Sequence, residues 1–162
     1  MEALRRFAGR SAPCAGCGAP LPERHRHLLS QGRVACFCAS CALRPPPGWN
    51  APPEPQRVEL GLSLEEWDRL GFPVRLVAFL RGREGGFRAV FPGPAGATEG
   101  CLEDPGFLPP LRADLEALVV LRGPDRLQAA RLPLDAYYLL LGLLRRHFSW
   151  ALVESFLECR GE

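Results

Sequence analysis

CAGCGAPLPERHRHLLSQGRVACFCASC, residues 14–41, is the stretch on which the reading of this chain turns. Two C-x-x-C pairs, Cys14/Cys17 and Cys38/Cys41, are separated by twenty residues. A C-x-x-C turn lets two thiolates converge on one ion, and the chain between can double back as a hairpin that brings the second turn opposite the first, closing a tetrahedral sulfur site. Gly18, directly after Cys17, supplies the positive-φ position that such a knuckle favours, whereas Ala42 holds the equivalent place after Cys41. A segment of about thirty residues cannot enclose an apolar core of its own, so metal binding is expected to supply the missing folding free energy. The expected ligands are Cys14, Cys17, Cys38 and Cys41.

Cys36 is an alternate ligand, because an extended VACFC places Cys36 and Cys38 on one face of the strand. His25 and His27 in HRHLL share that period-two relation. His27 is the second alternate, although the pair also reads as one surface histidine and one hydrogen-bonded shell histidine. Tetrahedral sulfur suits zinc or iron. C-x-x-C-G followed by C-x-x-C is similar to a rubredoxin, whose second turn has Pro after its first cysteine and Gly after its last. Here those places hold Ala39 and Ala42, which favours structural zinc (Zn2+) and leaves iron (Fe) as the alternative. The module is also similar to zinc ribbons, some of which bind nucleic acid or protein.

Outward from the module the composition changes. RPPPGWNAPPEPQ, residues 44–56, holds six prolines and is expected to be an extended connector, since proline lacks the donor that helix and ladder need. The expected domains are a cysteine-rich metal-binding module over 1–43, the Pro-rich connector over 44–56 and an α+β body over 57–162. Residues 1–50 carry seven arginines against two glutamates, and residues 51–162 carry thirteen arginines against sixteen acidic residues. A basic module therefore precedes an acidic body. With 162 residues, 47% of them hydrophobic and 23% charged, the chain is one ordinary domain plus a small appendage, with enough apolar material for a core. No apolar run reaches the roughly 18 residues of a membrane span, and MEALRRFAGRSAP lacks the apolar middle of a secretory leader, so the expected location is cytoplasmic. In that reducing setting, five of seven cysteines crowded into one segment argue for metal over disulfides.

In the body, Leu62-Ser63-x-x-Glu66-Trp67 is a capping box with Ser63 as N-cap and a Leu62/Trp67 staple, and Gly71 ends the helix it starts. VRLVAFL (74–80) with GFRAVF (86–91), and EALVVLR (116–122) with RLQAARL (126–132), read as two hairpins. At an offset of 41 residues Leu80-Arg81-Gly82 falls on Leu121-Arg122-Gly123 and Pro92 on Pro133. A helix-like segment precedes each hairpin, SLEEWDRL and PLRADLEA, which suggests a duplicated helix–hairpin unit. LDAYYLLLGLLRRHF (134–148), apolar almost all round, is expected to be a helix buried against the sheet, with Arg145, Arg146 and His147 complementing its dipole. WALVESFLEC (150–159), capped by Ser149, is the last helix. FPGPAGATEGCLEDPGFLPP (91–110) is expected to be a long loop without repetitive structure, and Cys101 and Cys159 to be ordinary thiols. The fold class is α+β: an N-terminal zinc-ribbon-like knuckle, then an antiparallel sheet of about four strands packed by C-terminal helices.

No phosphate loop, G-x-S-x-G elbow or H-E-x-x-H helix occurs, and the three histidines assemble no nucleophile–base set, so no catalytic residue is named. Several blocks together, CGAPLPERHRHLL, CFCASCAL, VRLVAFLR, FPGPAGATE, LEALVVLR and LPLDAYYLLLGLLRRHF, resemble an uncharacterised family of small bacterial proteins often encoded beside the genes of actinobacterial-type uptake NiFe-hydrogenases. The resemblance covers most of the chain, least well the connector, and implies a genomic neighbourhood rather than a reaction. It carries Cys14, Cys17, Cys36, Cys38 and Cys41 over as constrained positions, and His27 with them. The expected function is that of a non-enzymatic metal-binding accessory or interaction protein, serving NiFe-hydrogenase assembly or its complex through a protein partner such as a hydrogenase subunit. A rubredoxin-like iron electron carrier is the alternative. A nucleic-acid-binding zinc ribbon ranks third, since four thiolates on a zinc ion would lower the module's positive charge and no basic–aromatic stripe accompanies it. Trp49, exposed in the connector, and the PAGATE loop (94–99) are the expected docking features.

Overall fold

The structure is a computed structural model that describes residues 12–93 and 95–159. The opening segment, read above as lacking a leader, and the Cys159 side chain lie outside the described residues. The chain divides into two compact units, Met1–Pro52 and Pro53–Glu162.

In the first unit the words SQGR make a two-residue turn. Gln31 and Gly32 both have positive φ, 52° and 73°, the combination whose twist matches the strands it joins. It connects β1 (Arg26–Ser30) to β2 (Arg33–Phe37), antiparallel, with His27 opposite Cys36. One short helix, α1 (Ala39–Leu43), follows immediately, with Cys38 as its N-cap residue. Leu28, Leu29 and Phe37 are buried, together with Cys14 and Leu21. The proline-rich stretch does not run away from this hairpin. Leu29 and Asn50 exchange both backbone hydrogen bonds at 2.8 Å, and the Trp49 ring packs edge-on against Phe37 with centroids 5.3 Å apart. The expectation of an exposed Trp49 in a free connector is thus corrected: the indole is half-buried and covers the side of Phe37 that the hairpin alone leaves open. Proline forbids a helix here but not a bridge, because Asn50 keeps its own donor.

The second unit is a six-stranded antiparallel sheet in the order β3-β8-β7-β4-β5-β6. Its strands are β3 (Gln56–Val58), β4 (Leu76–Arg81), β5 (Phe87–Gly93), β6 (Gly96–Leu102), β7 (Glu116–Arg122) and β8 (Leu127–Pro133). The expectation of about four strands is corrected to six. β3 starts at Gln56, the last residue of the supposed connector, and continues into the body, and β6 comes from the supposed loop, where Gly93 pairs with Gly96 and Val90 with Glu99. Both are edge strands, and β6 leaves most of its residues solvent-facing, so neither carries the continuous apolar run by which the inner strands β4 and β7 announce themselves.

The two expected hairpins, β4-β5 and β7-β8, meet where β4 pairs with β7. Ala78 and Val119, 41 positions apart, face each other at the centre of that ladder, and the pairs Leu76/Leu121 and Leu80/Ala117 lie symmetrically about them. The 41-residue offset in the sequence is therefore a dyad-like register in the sheet. Only half of the repeat carries its helix. α2 (Leu64–Arg69) forms with its capping box, Ser63 Oγ accepting from the Glu66 N–H at 3.1 Å and Glu66 Oε2 from the Ser63 N–H at 2.8 Å. PLRADLEA forms no helix: Asp114 takes a φ of 64°, and Glu116 already belongs to β7.

Successive side chains of the central strands alternate between two buried faces. Val77, Phe79, Leu118 and Val120 join Trp67, Phe87, Ala89 and Leu111 on one. Leu76, Ala78, Val119 and Leu121 are buried on the other, which α3 (Leu134–Arg146) and α4 (Trp150–Cys159) cover. α3 buries only the stripe Leu134, Ala136, Tyr137, Leu140 and Leu144. The helix packs on the sheet as expected, and Tyr138 and Leu139 remain 43% and 48% exposed, so its apolar residues outside that stripe are not all covered. Among the described residues no helix is long and apolar enough to cross a membrane.

Candidate metal centre

Cys14 and Cys17 stand on a tight knuckle. The Gly18 N–H donates to the Cys14 carbonyl at 2.8 Å and the Cys14 N–H to the Ala19 carbonyl at 2.7 Å, a reversal that needs the positive φ of Gly18, 74°. Pro13 and Pro20 bridge at its base, and the Ala15 N–H donates to the Cys36 carbonyl at 2.9 Å, which ties the knuckle to β2. The second turn is built differently. Cys38 precedes α1 and Cys41 lies within it, and the Ala42 N–H donates to the Cys38 carbonyl at 3.0 Å as a helix requires. A helical residue needs no positive φ, so the alanines at 39 and 42, which set the second turn apart in the sequence, have their physical cause: the two turns are joined by a hairpin, and the second is the start of a helix.

The Sγ atoms of Cys14, Cys17, Cys38 and Cys41 all lie within 4.8 Å of one another, with Cys17 and Cys38 at 3.9 Å. Bonds of about 2.3 Å to a tetrahedral ion place sulfurs about 3.8 Å apart, so only a small closure completes such a site. A disulfide needs about 2.05 Å, and all four are free thiols. Cys14 is buried, Cys17 exposed, and Cys38 and Cys41 half-buried.

The electrostatics of the group are unequal. The Cys38 and Gly16 N–H groups point at Cys14 Sγ, at 3.3 and 3.4 Å. These amides, that of Cys38 foremost, bring the Cys14 thiol down to about 6 against the opposing effect of burial. Cys41 is pushed up to about 12, first because it shares hydrogen bonds with the Cys38 and Cys17 sulfurs, and further by burial. A first thiolate in this group is easy to form and a last one is costly, unless a cation stands among them and reverses the penalty. Gly16 lets the two turns meet, for a Cβ there would sit 3.0 Å from both Cβ and Sγ of Cys41.

The alternate ligands Cys36 and His27 lie outside this group. Cys36 Sγ and one ring nitrogen each of His25 and His27 form a second set, again within 4.8 Å of one another. The sequence reading passed over Gly16, an x of a C-x-x-C, and over His25 as a partner of Cys36. The signal for the latter was present: a two-residue Gln31-Gly32 turn fixes the register that sets His27 against Cys36. Thr98 and Glu99 lie on β6, Arg88 reaching Glu99 at 3.2 Å. His147 closes α3 by donating its N–H to the Leu143 carbonyl at 2.9 Å, and Cys101 is an exposed free thiol.

No curated protein and no solved structure matches the chain. A family match does extend over residues 13–151, a span that takes in both C-x-x-C turns and every strand of the sheet. The match thus takes in the cysteine cluster and both hairpins together, and the chain belongs to the family of unknown function DUF5947.

Proposed function

We propose that this chain is a non-enzymatic metal-binding accessory protein in which Cys14, Cys17, Cys38 and Cys41 hold one zinc ion that folds the first unit. The carrying observation is the convergence of four free thiols from two differently built turns within 4.8 Å. Four sulfur ligands fill a tetrahedral ion and leave no open position, the mark of a structural rather than a catalytic centre. Elemental analysis of protein isolated from its native host tests this directly: at least one zinc per chain is expected, and Cys41→Ser should lower the content by one ion per chain. Metal-free protein from that host with an ordered first unit would overturn the reading.

Iron at the same cysteines, giving an electron carrier, is the second reading. Two amides directed at Cys14 Sγ would favour the reduced ion's partner sulfur, and the exposure of Cys17 would give electrons a route. Such a protein is coloured when oxidised and bleaches reversibly, whereas the zinc protein is colourless in both conditions. The family resemblance supports a NiFe-hydrogenase subunit as the protein partner, in assembly or in the complex. We place the contact on the open edge strand β6, whose Thr98 and Glu99 are exposed. A pull-down from native extract should recover a hydrogenase subunit with the wild type and less of it with Glu99→Pro, which removes an N–H that faces away from β5, because Val90 and Glu99 are a non-hydrogen-bonded pair of the β5–β6 ladder, and so blocks strand addition at that edge.

A further inference from the structure

The second cluster on the hairpin is separate from the four-cysteine group and has a chemistry of its own. β1 and β2 pair so that His27 lies opposite Cys36, and His25 comes two residues earlier on the same side of the chain. One nitrogen of each ring and Cys36 Sγ come within 4.8 Å of one another. The rings meet edge to face, with centroids 5.2 Å apart and planes inclined by 66°. Imidazole lone pairs lie in the ring plane, so two inclined rings can aim at a single point, which a parallel stack cannot do. His25 is also pre-oriented: its Nδ1 stands 3.1 Å from the Pro22 carbonyl. A carbonyl only accepts, so Nδ1 carries the proton and Nε2 keeps the lone pair, the arrangement by which a backbone carbonyl fixes a metal-binding histidine.

Burial grades across the set in a way that suits an open site. Cys36 and His25 are half-buried and His27 is exposed, so a thiolate held against the module's core anchors one side while the other faces solvent. Bonds of about 2.0 to 2.3 Å to nitrogen and sulfur put tetrahedral ligands roughly 3.3 to 3.8 Å apart, a closure of about 1 Å that two incompletely buried imidazoles can make by rotation. One thiolate and two imidazoles select a late first-row transition ion over magnesium or calcium. Three protein ligands leave a fourth position for water, a small anion or a partner's side chain.

We propose that His25, His27 and Cys36 form a second, open metal site on the β1–β2 hairpin, which takes a transition ion of the zinc class. It is tested on the full chain, stripped of metal under reducing conditions and titrated with Co2+ as the probe. Wild type should take up one more equivalent than either Cys36→Ser or His27→Gln. The additional equivalent should show a weaker thiolate-to-cobalt absorption than a four-sulfur site, in keeping with its one Co–S bond. His27 is exposed, so its substitution removes a ligand without opening the core, and it guards against misreading a hairpin disturbed by Cys36→Ser. Retention of the additional equivalent by either variant, or equal uptake by all three proteins, overturns the proposal. The comparison counts a difference between proteins, so it reads the same whether or not the four-cysteine cluster holds its own ion.

Discussion

One methyl group at position 16 probes how tightly the cysteine turns close. A Cβ on that residue would meet Cys41 Cβ and Sγ at 3.0 Å and Phe37 Cδ1 at 3.3 Å, so Gly16→Ala must push Cys41 away from the other three sulfurs. Overpacking of this kind costs about 1 to 3 kcal/mol, which at the metal corresponds to zinc binding weaker by roughly 5- to 150-fold. Competition against a chromophoric chelator measures it, and an unchanged affinity would show that the turns do not need to approach so closely. With the metal removed, the same sulfurs give the first unit two opposed pH limits. Folding brings Cys14 from 9.0 down to about 6, which favours its thiolate, so its contribution is complete above pH 9 and is lost as the pH falls through 6. Folding raises Cys41 from 9.0 to about 12, which favours its thiol, so its contribution is complete below pH 9 and is lost as the pH rises through 12. Denaturation midpoints of the metal-free protein, followed by the β1–β2 amide resonances, should peak near pH 9 and decline on both sides. A bound divalent ion should abolish the alkaline decline, since every sulfur is then already a thiolate.

At the scale of elements, β7 begins with a buried carboxylate. Glu116 is 3% exposed and accepts from the Arg112 amide at 2.9 Å and from Arg112 Nη2 at 3.0 Å, with Arg131 of β8 at 3.9 Å. Glu116→Ala leaves those donors facing a cavity, and removal of one member of a buried pair costs about 3 to 5 kcal/mol, with the low end expected because Arg112 itself reaches water. Glu116→Gln keeps an acceptor and should cost less; equal midpoints for wild type and Glu116→Ala in urea would assign the carboxylate no structural part. Glu116 also shows where sequence reading fails. PLRADLEA has helical composition, yet Asp114 turns into the left-handed region and the chain enters a strand. β4, β5, β7 and β8 were legible because runs such as LVAFL and ALVVL bury both faces. β6 was not, because GATEGCL is an edge strand held by its hairpin with β5 rather than by burial. The cysteine cluster was legible because C-x-x-C fixes a local geometry. The choice among Cys36, Cys38 and the histidines was not, since it depends on where β2 stops and α1 begins, between Phe37 and Ala39.

For the molecule as a whole, the two units draw their stability from different sources. The first buries Cys14, Leu21, Leu28, Leu29 and Phe37 with the help of half-buried Trp49, a small core in which one member is itself a candidate ligand. The second fills both faces of a six-stranded sheet and contains no residue of the four-cysteine cluster. Zinc bound to small tetrathiolate or mixed sites contributes about 10 to 16 kcal/mol, comparable to or larger than the roughly 5 to 15 kcal/mol of a whole domain's stability, so the first unit should depend on the ion and the second should not. A strong chelator under reducing conditions should therefore speed amide exchange across residues 12–52, most visibly at the Leu29–Asn50 bridge and along β1–β2, and leave the protection of β4 and β7 as it was. Thermal unfolding should resolve into one step that moves with zinc concentration and one that does not. A single transition that shifts as a whole on chelation, with β4 and β7 losing protection together with β1 and β2, would mean that the units fold as one body and that the ion's contribution reaches the sheet.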